Sequence, residues 1–176
     1  MIERGKITCY IAMSLDGYIA REDGNVDWLP AIRDDEDYGY YDFLSTIDGI
    51  VVGNSTYEQF IKGQAYPFGN RPCYVFSYEE EESSGNVQYI RSPIAEFVIS
   101  LHERENENLW LMGGATIIAG FMVADAVDEL IVTILPIVLG NGIPLFIPGI
   151  PESIWKLKGT SVYPHGIVQL KYVKEL

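Results

Sequence analysis

The chain has 176 residues and a mass of 19.8 kDa, which suits one domain with its own core and is short for two. Its 25 Asp and Glu residues outnumber 12 Lys and Arg residues, and the formal net charge of −13 argues against a nucleic-acid partner or an anionic membrane surface. Cys9 and Cys73 lie in apolar runs typical of reduced core thiols, and no signal-peptide pattern opens the chain, so a cytoplasmic protein is expected.

The first half of the chain alternates between strand and helix patterns. Residues that favour β structure predict a strand over 6–13, and a loop containing Gly and Asp follows over 14–27. Apolar residues recur at helical spacing within 34–46, which predicts a helix there. A β-branched strand over 50–52 comes next, and a short helix is predicted to begin at Ser55.

The second half continues the alternation and then becomes rich in strands. The predicted helices cover 94–105 and 115–123. The predicted strands cover 73–76, 87–90, 109–112, 129–135, 143–146, 153–162 and 167–173. The last two strands are separated by His165-Gly166, which suits a hairpin turn. The uncharged stretch 130–151 holds four prolines and three glycines, which favours short strands and turns over a membrane span.

This order of elements predicts an α/β fold in a single domain that spans 1–176. Alternating strands and helices form parallel sheets, because each helix carries the chain back to the same end of the sheet. The strand-rich tail adds antiparallel strands at one edge.

Two glycines, Gly113 and Gly114, follow a predicted buried strand and precede a helix that starts at Ala115. Backbone N–H groups at a helix N-terminus can bind a phosphate, and glycine lets the phosphate approach closely. No Lys or Arg occurs between positions 104 and 156, so such binding would depend on amides and the helix dipole. A tight strand-to-helix turn explains the same residues equally well.

A second strand–glycine–helix junction lies at Gly53. Ser55 and Glu58 have the spacing of a capping box, which is a sufficient structural explanation of this segment. Two such helix ends side by side would nevertheless suit a dinucleotide, although neither junction has the GxGxxG spacing. The loop after the first strand, with Asp16 and Gly17, could lie over a bound ligand, or could be a turn in which Asp16 bonds its own backbone.

These segments together resemble the dihydrofolate-reductase-like family, and within it the branch of the riboflavin-biosynthesis reductase domain. The matching pieces are AMSLDGYIA (12–20), VVGNSTYE (51–58), NRP (70–72), VFS (75–77), GG (113–114), DEL (128–130) and PIVLGNGIPLF (136–146). Their order and spacing cover nearly the whole chain. The resemblance implies a three-layer α/β/α domain that binds NADPH along the strand ends.

The resemblance also implies which residues bind the cofactor. Those expected to flank the nicotinamide are Ala12, Gly17 and Ile19. Those expected to meet the phosphates near the adenosine half are Gly53, Ser55 and Thr56, with Ser77 close to the ribose phosphate. Those expected to cradle the pyrophosphate are Gly113, Gly114, Ala115 and Thr116. The family commonly has Arg directly after the glycine of the second motif, facing the 2′-phosphate; here that cofactor-binding position is Asn54.

The candidate proton donor is Asp37. Folate reductases carry an acid directly after Leu-Pro-Ala, but here Leu29-Pro30-Ala31 is followed by Ile32. Asp37 shares a predicted helical face with tyrosines, where desolvation would raise its pKa toward the range useful for proton donation. The alternative is that Asp37 is one of several acidic first-turn residues favoured by the helix dipole.

Two residues are candidates for substrate binding. Arg71 matches an arginine that contacts the acidic tail of folate in the folate reductases, and its alternative is a surface cation in a turn. Tyr41 could line a substrate ring, although tyrosines more often belong to the core. No His, Cys or carboxylate cluster has ligand spacing, so no metal is expected.

The sequence therefore predicts an NADPH-dependent oxidoreductase that delivers hydride to a small heterocyclic or sugar-linked substrate. By resemblance, the reduction of 5-amino-6-(5-phosphoribosylamino)uracil in riboflavin biosynthesis is the leading reaction. A folate-type reductase and a non-catalytic nucleotide-binding protein on the same fold remain as alternatives. The apolar C-terminal strands predict a homodimer.

Overall fold

A computed structural model describes residues 5–30, 36–79, 82–101 and 107–175. The strands are β1 (Ile7–Ser14), β2 (Tyr18–Ala20), β3 (Gly49–Gly53), β4 (Cys73–Phe76), β5 (Val87–Ile90), β6 (Leu109–Gly113), β7 (Glu129–Leu135), β8 (Ile143–Pro144), β9 (Trp155–Val162) and β10 (Val168–Lys174). The helices are α1 (Tyr40–Ser45), α2 (Asn54–Phe60), α3 (Ile94–Leu101) and α4 (Ala115–Val123).

Eight strands form one sheet in the order β5-β4-β3-β6-β1-β7-β10-β9. All pairs from β5 to β7 are parallel, and β10 pairs antiparallel with both β7 and β9. The prediction of a mostly parallel sheet with antiparallel C-terminal strands is confirmed. The strands β2 and β8 form a separate antiparallel pair instead of joining the sheet.

Helices cover both faces of the sheet, because strands buried on two sides must be shielded on both. On one face, Phe97 of α3 and Phe121 of α4 pack on the central strands. On the other, Phe43 of α1 packs against Trp110, and Tyr57 of α2 belongs to the same cluster. The result is the three-layer α/β/α arrangement that the family resemblance implies. Cys9 and Cys73 are buried free thiols within the two cores.

The helix predicted over 34–46 is the main departure from the predicted elements. It begins at Tyr40, because Tyr38 and Gly39 have φ of 56° and 76° and cannot continue a right-handed helix. The helix predicted over 94–105 is described as far as Leu101, and positions 34–35 and 102–106 lie outside the described residues.

Candidate cofactor and substrate site

The two glycine junctions lie side by side at the carboxyl edge of the sheet. Strands β3 and β6 are neighbours, and Val52 is in register with Gly113. Gly53 is the N-cap of α2, and Gly114 is the N-cap of α4. A Cβ at Gly53 would lie 2.8 Å from the Ile117 side chain, so glycine is what lets α4 pack this close to β3.

The junction after β6 presents a backbone surface. Gly113 has φ of +121°, which glycine tolerates, and the Gly113–Gly114 peptide bond is cis. Ala115 and Thr116 occupy the first turn of α4, where backbone N–H groups have no acceptor within the helix. The backbone of Gly113 and Gly114 with the first turn of α4 is called the cradle below. A Cβ at Gly114 would lie 3.3 Å from Thr56 Oγ1, so Thr56 of α2 lies beside the cradle.

The capping box predicted for Ser55 and Glu58 is absent. The helix starts one residue earlier than predicted, at Asn54, and no side chain caps it. Glu58 instead pairs with Lys62, 3.1 Å away along the helix. Asn54 Oδ1 is buried without a hydrogen-bond partner among the described residues, an orphaned acceptor directly beside the cradle.

Ser77 stands on the next strand end. It directly follows β4, whose Phe76 is in register with Gly53, and its side chain is buried. Its Oγ accepts the N–H of Glu79 at 3.1 Å and keeps its own hydroxyl proton free to donate. The helix ends at Gly53 and Gly114 and the Ser77 hydroxyl thus form one polar edge.

Hydrogen bonds to residues far along the chain hold the loop after β1 in place. Asp16 accepts hydrogen bonds from Ser14 Oγ at 2.6 Å and from the N–H groups of Leu139 and Gly140 at 3.1 and 2.8 Å. These bonds, foremost the one from Ser14, lower the pKa of Asp16. A backbone hydrogen bond within the turn accompanies them, so the alternative in which Asp16 bonds its own backbone describes part of the arrangement. The sequence analysis missed the tie to Leu139 and Gly140, because these partners lie more than 120 residues away.

The residues expected to flank a nicotinamide occupy both sides of this loop. Gly17 has φ of +89° and its carbonyl accepts the N–H of Leu145 at 2.9 Å. Ile19 packs on the core beneath α3 and α4. Ala12 lies in β1 opposite Thr133 of β7, so the strand has a small side chain at this position.

Asp37 lies before α1 and caps it. Its carboxylate oxygens accept the N–H groups of Gly39 at 3.1 Å and Tyr41 at 3.0 Å. The predicted helical face that placed Asp37 in line with Tyr40 and Tyr41 therefore does not form. Each carboxylate oxygen keeps a further lone pair for a ligand. Tyr41, 53% exposed, stands next to it at the start of α1.

A hydrogen-bond network beneath Asp37 fixes the turn that carries it. The carbonyl of Tyr38 accepts both Tyr10 Oη and Gln169 Nε2, each at 3.1 Å. Gln169 Nε2 also donates to Thr133 Oγ1 at 2.9 Å. Burial is the main cause that raises the pKa of Tyr10 to about 12, so Tyr10 is a proton donor at neutral pH. Neither Tyr10 nor Gln169 was among the predicted site residues, because three different strands bring them together.

Arg71 stands at the opposite end of α1. Its Nε, Nη1 and Nη2 donate to the carbonyls of Ile47, Phe68 and Leu44 at 2.7, 3.2 and 3.0 Å. The guanidinium closes the C-terminal end of the helix, where free carbonyls and the helix dipole attract a cation. Burial, followed by the interaction with Tyr41, raises the pKa of Tyr40 and outweighs the opposite effect of the Arg71 charge.

Across the described residues, no group of three or more His, Cys, Asp or Glu side chains is arranged to hold a metal ion. The helices within the described ranges are also too short or too polar to cross a membrane.

The fold and these junctions define a protein with the architecture of the dihydrofolate reductases. A dihydrofolate reductase from Enterococcus faecalis, solved in complex with NADP(H), superposes with a TM-score of 0.72 at 19% identity and covers 99% of each chain. A protein named for riboflavin biosynthesis, from Shewanella sp. PV-4, superposes with a TM-score of 0.86 at 26% identity over 97% of this chain and 99% of that one.

The chain belongs to the RibD C-terminal domain family, whose model matches residues 69–169. The uncharacterized protein YwjB of Bacillus subtilis is 41% identical and covers 96% of this chain and 98% of its own length. A diaminohydroxyphosphoribosylaminopyrimidine deaminase/5-amino-6-(5-phosphoribosylamino)uracil reductase from Thermotoga maritima has a TM-score of 0.72 at 18% identity; this chain matches 57% of it. Family and fold together make the chain a member of the RibD C-terminal domain family with the dihydrofolate-reductase architecture.

Proposed function

We propose that this protein is an NADPH-dependent reductase that transfers hydride to a C=N or C=O carbon of a small heterocyclic or sugar-linked substrate. The substrate type that we propose is that of the 5-amino-6-(5-phosphoribosylamino)uracil reductases, a ribosylamino-pyrimidine. The observation that carries the proposal is the pair of adjacent helix ends at Gly53 and Gly114, each free of a side-chain cap.

The residues around these helix ends fit a dinucleotide phosphate group. The first-turn N–H groups of Ala115 and Thr116 would hold the pyrophosphate, since anions bind the N-terminus of a helix and glycine removes the side chain in the way. The backbone and hydroxyl groups of Ser55 and Thr56, with Ser77, would meet the adenosine half. Asn54 Oδ1, which has no hydrogen-bond partner among the described residues, can accept a bond from a sugar hydroxyl or amino group of such a ligand.

The nicotinamide end would lie against Ala12, between the loop at Gly17 and the turn of Asp37. When bound there, NADPH supplies the hydride for the reduction. The protein contributes orientation and the exclusion of water, through a loop that Asp16 ties to Leu139 and Gly140. Asp37 would take up a proton from solvent and pass it to the substrate as the hydride is transferred, because Tyr10 and Gln169 hold the Tyr38 carbonyl and so fix the turn that carries the Asp37 carboxyl group.

Two titrations test the cofactor assignment. NADPH and NADH binding are measured by fluorescence, and NADPH oxidation is then followed with the uracil derivative added. Gly114→Val adds a branched side chain in the cradle and should weaken NADPH binding at least tenfold in a folded protein. Gly159→Val is the matched control, because nothing lies within 4 Å of the Cβ it adds. Equal affinities in the two variants would refute the cradle.

A second pair of measurements tests Asp37. Asp37→Asn keeps an acceptor for the N–H groups at the start of α1 and loses the titrating proton. We expect kcat to fall by about 10²–10⁴, the usual contribution of a positioned acid, with NADPH affinity unchanged. Unchanged kcat in this variant would remove Asp37 from the reaction and leave it as a helix cap.

We also propose that the protein is a cytoplasmic homodimer formed through its C-terminal strands. Strand β9 is an edge strand of the sheet, and its apolar residues Leu157 and Val162 are 50% and 76% exposed. Apolar strand surface of this kind is usually covered by a second copy.

A further inference from the structure

The two groups near the candidate substrate site that most readily bind a phosphate are both occupied by the protein itself. Arg71 is the first, since an arginine fork is the common receptor for a carboxylate or phosphate. All three of its nitrogens donate to backbone carbonyls, those of Ile47, Phe68 and Leu44. An anion at Arg71 would find only the two remaining N–H groups, one on each Nη, or would have to compete with the bonds that close the end of α1.

The second receptor is the beginning of α1. Backbone N–H groups at a helix start attract anions, but here the Asp37 carboxylate already accepts the N–H groups of Gly39 and Tyr41. A substrate phosphate at this place would displace a carboxylate of the protein and lie beside it. Groups of the protein itself therefore occupy both ends of α1.

The charges around Asp37 are negative. Burial is the main cause that raises the pKa of Tyr163, a hydrogen bond with Ser161 lowers it, and the carboxylates of Asp37, Glu36 and Asp42 raise it further. Within the part of the chain that the structure describes, no ion pair involves any of these three carboxylates. A phosphate ester carries about −1.5 to −2 charges at neutral pH, so these three carboxylates would repel it.

Two lysines, Lys6 before β1 and Lys171 in β10, extend their ammonium groups to Glu129 at the start of β7. Lys171 and Lys6 both pair with Glu129, at 3.2 and 2.9 Å. Thr133 contacts the Asp37 turn through Gln169. Glu129 lies four residues before Thr133 in β7, which is about 13 Å along the strand. Salt at physiological strength screens exposed charges over about 8 Å, so these lysines contribute little at the site.

What the site offers instead is suited to an uncharged ligand. Tyr41 exposes more than half of its surface, its ring contacts that of Tyr40 at 5.4 Å, and Tyr38 and Tyr163 face each other at 5.5 Å. Tyrosine rings stack on heterocycles, and their hydroxyls, with the lone pairs of Asp37, bind amide or sugar hydroxyl groups. We infer, on the basis of the proposed function, that the substrate is a heterocycle or its riboside without a phosphate group.

The test compares two probes that differ only in the phosphate: 5-amino-6-(5-phosphoribosylamino)uracil and its dephosphorylated riboside. Binding to the full-length protein saturated with NADP⁺ is measured by calorimetry at low and high salt. We expect the riboside to bind at least tenfold more tightly, and the affinity of the phosphorylated probe to rise with salt as repulsion is screened. A phosphorylated probe that binds more tightly, with affinity falling as salt rises, would overturn the inference.

Variants locate the cause of the preference. Asp42→Asn should improve binding of the phosphorylated probe several-fold and leave the riboside unchanged, whereas Glu96→Gln, the same charge change on α3, should alter neither. Arg33 lies outside the described residues, so Arg33→Gln is included: it should leave the preference as it is. Loss of binding of the phosphorylated probe alone in Arg33→Gln would show a phosphate receptor there and contradict the inference.

The outcomes separate this inference from the proposed function. If NADPH does not bind, the proposed reductase fails, whatever the probes do. If NADPH binds and neither probe does, the riboside class is refuted while the cofactor assignment stands.

Discussion

The substitution Arg71→Lys tests whether Arg71 stabilises the folded protein or binds a ligand. Lysine keeps the charge, but its ammonium is a single point on a flexible stem and can reach only one of the carbonyls of Leu44, Ile47 and Phe68. Two charge-assisted hydrogen bonds are then lost, each worth about 1.5–3 kcal/mol. Arg71 is only partly buried and water can reach part of the site, so we expect the free energy of unfolding to fall by about 2–4 kcal/mol.

The assay is urea unfolding followed by tryptophan fluorescence, with the slope m unchanged and the midpoint lowered. Arg21→Lys is the matched control: Arg21 also makes two side-chain hydrogen bonds, but to Asp27 at the surface, so its midpoint should move much less. NADPH affinity should be unchanged in both. An Arg71→Lys protein as stable as the wild type, with substrate binding lost, would show that Arg71 serves a ligand and that our reasoning is wrong.

Three further predictions concern the cofactor, pH and assembly. Asn54→Arg should tighten NADPH binding about tenfold or more and leave NADH binding nearly unchanged, since a charge-assisted contact to the 2′-phosphate replaces neutral hydrogen bonds. Equal gains in affinity for both cofactors would place position 54 away from that phosphate. Burial raises the pKa of Cys9 from 9.0 and of Tyr10 from 10.0 to about 12 each, so unfolding releases these protons and stability should fall as pH rises from about 9 to 12. Cys9→Val should remove about 1.4 kcal/mol per pH unit of that decline in urea titrations, and parallel curves for the two proteins would contradict it. Light scattering should give twice the 19.8 kDa chain mass for the wild type and a single chain mass for Leu157→Glu. Lys156→Glu is the control and should stay dimeric, because its side chain lies on the opposite face of β9 from Leu157. A dimer that survives Leu157→Glu would refute the proposed interface.

The sequence determined what depends on neighbouring residues. Apolar periodicity predicted the eight strands of the main sheet and α4 to within a residue or two, whereas β2 lies in a predicted loop. The glycines at 53 and 113–114 predicted both strand-to-helix junctions, because close backbone approach requires glycine wherever it occurs. The order of strand and helix patterns was enough for the mixed sheet, since a helical crossover imposes parallel pairing.

Tertiary structure decided the roles of the charged residues. Asp37 was predicted on a helical face, and it caps α1 because a left-handed turn, held at the Tyr38 carbonyl by Tyr10 and Gln169, starts the helix later. Arg71 was predicted to bind substrate, and its nitrogens are used by carbonyls up to 27 residues away. Hydrogen-bond partners of this kind are set by how strands and loops meet in space, and a charge pattern along the chain carries no information about which carbonyl or N–H group will face it.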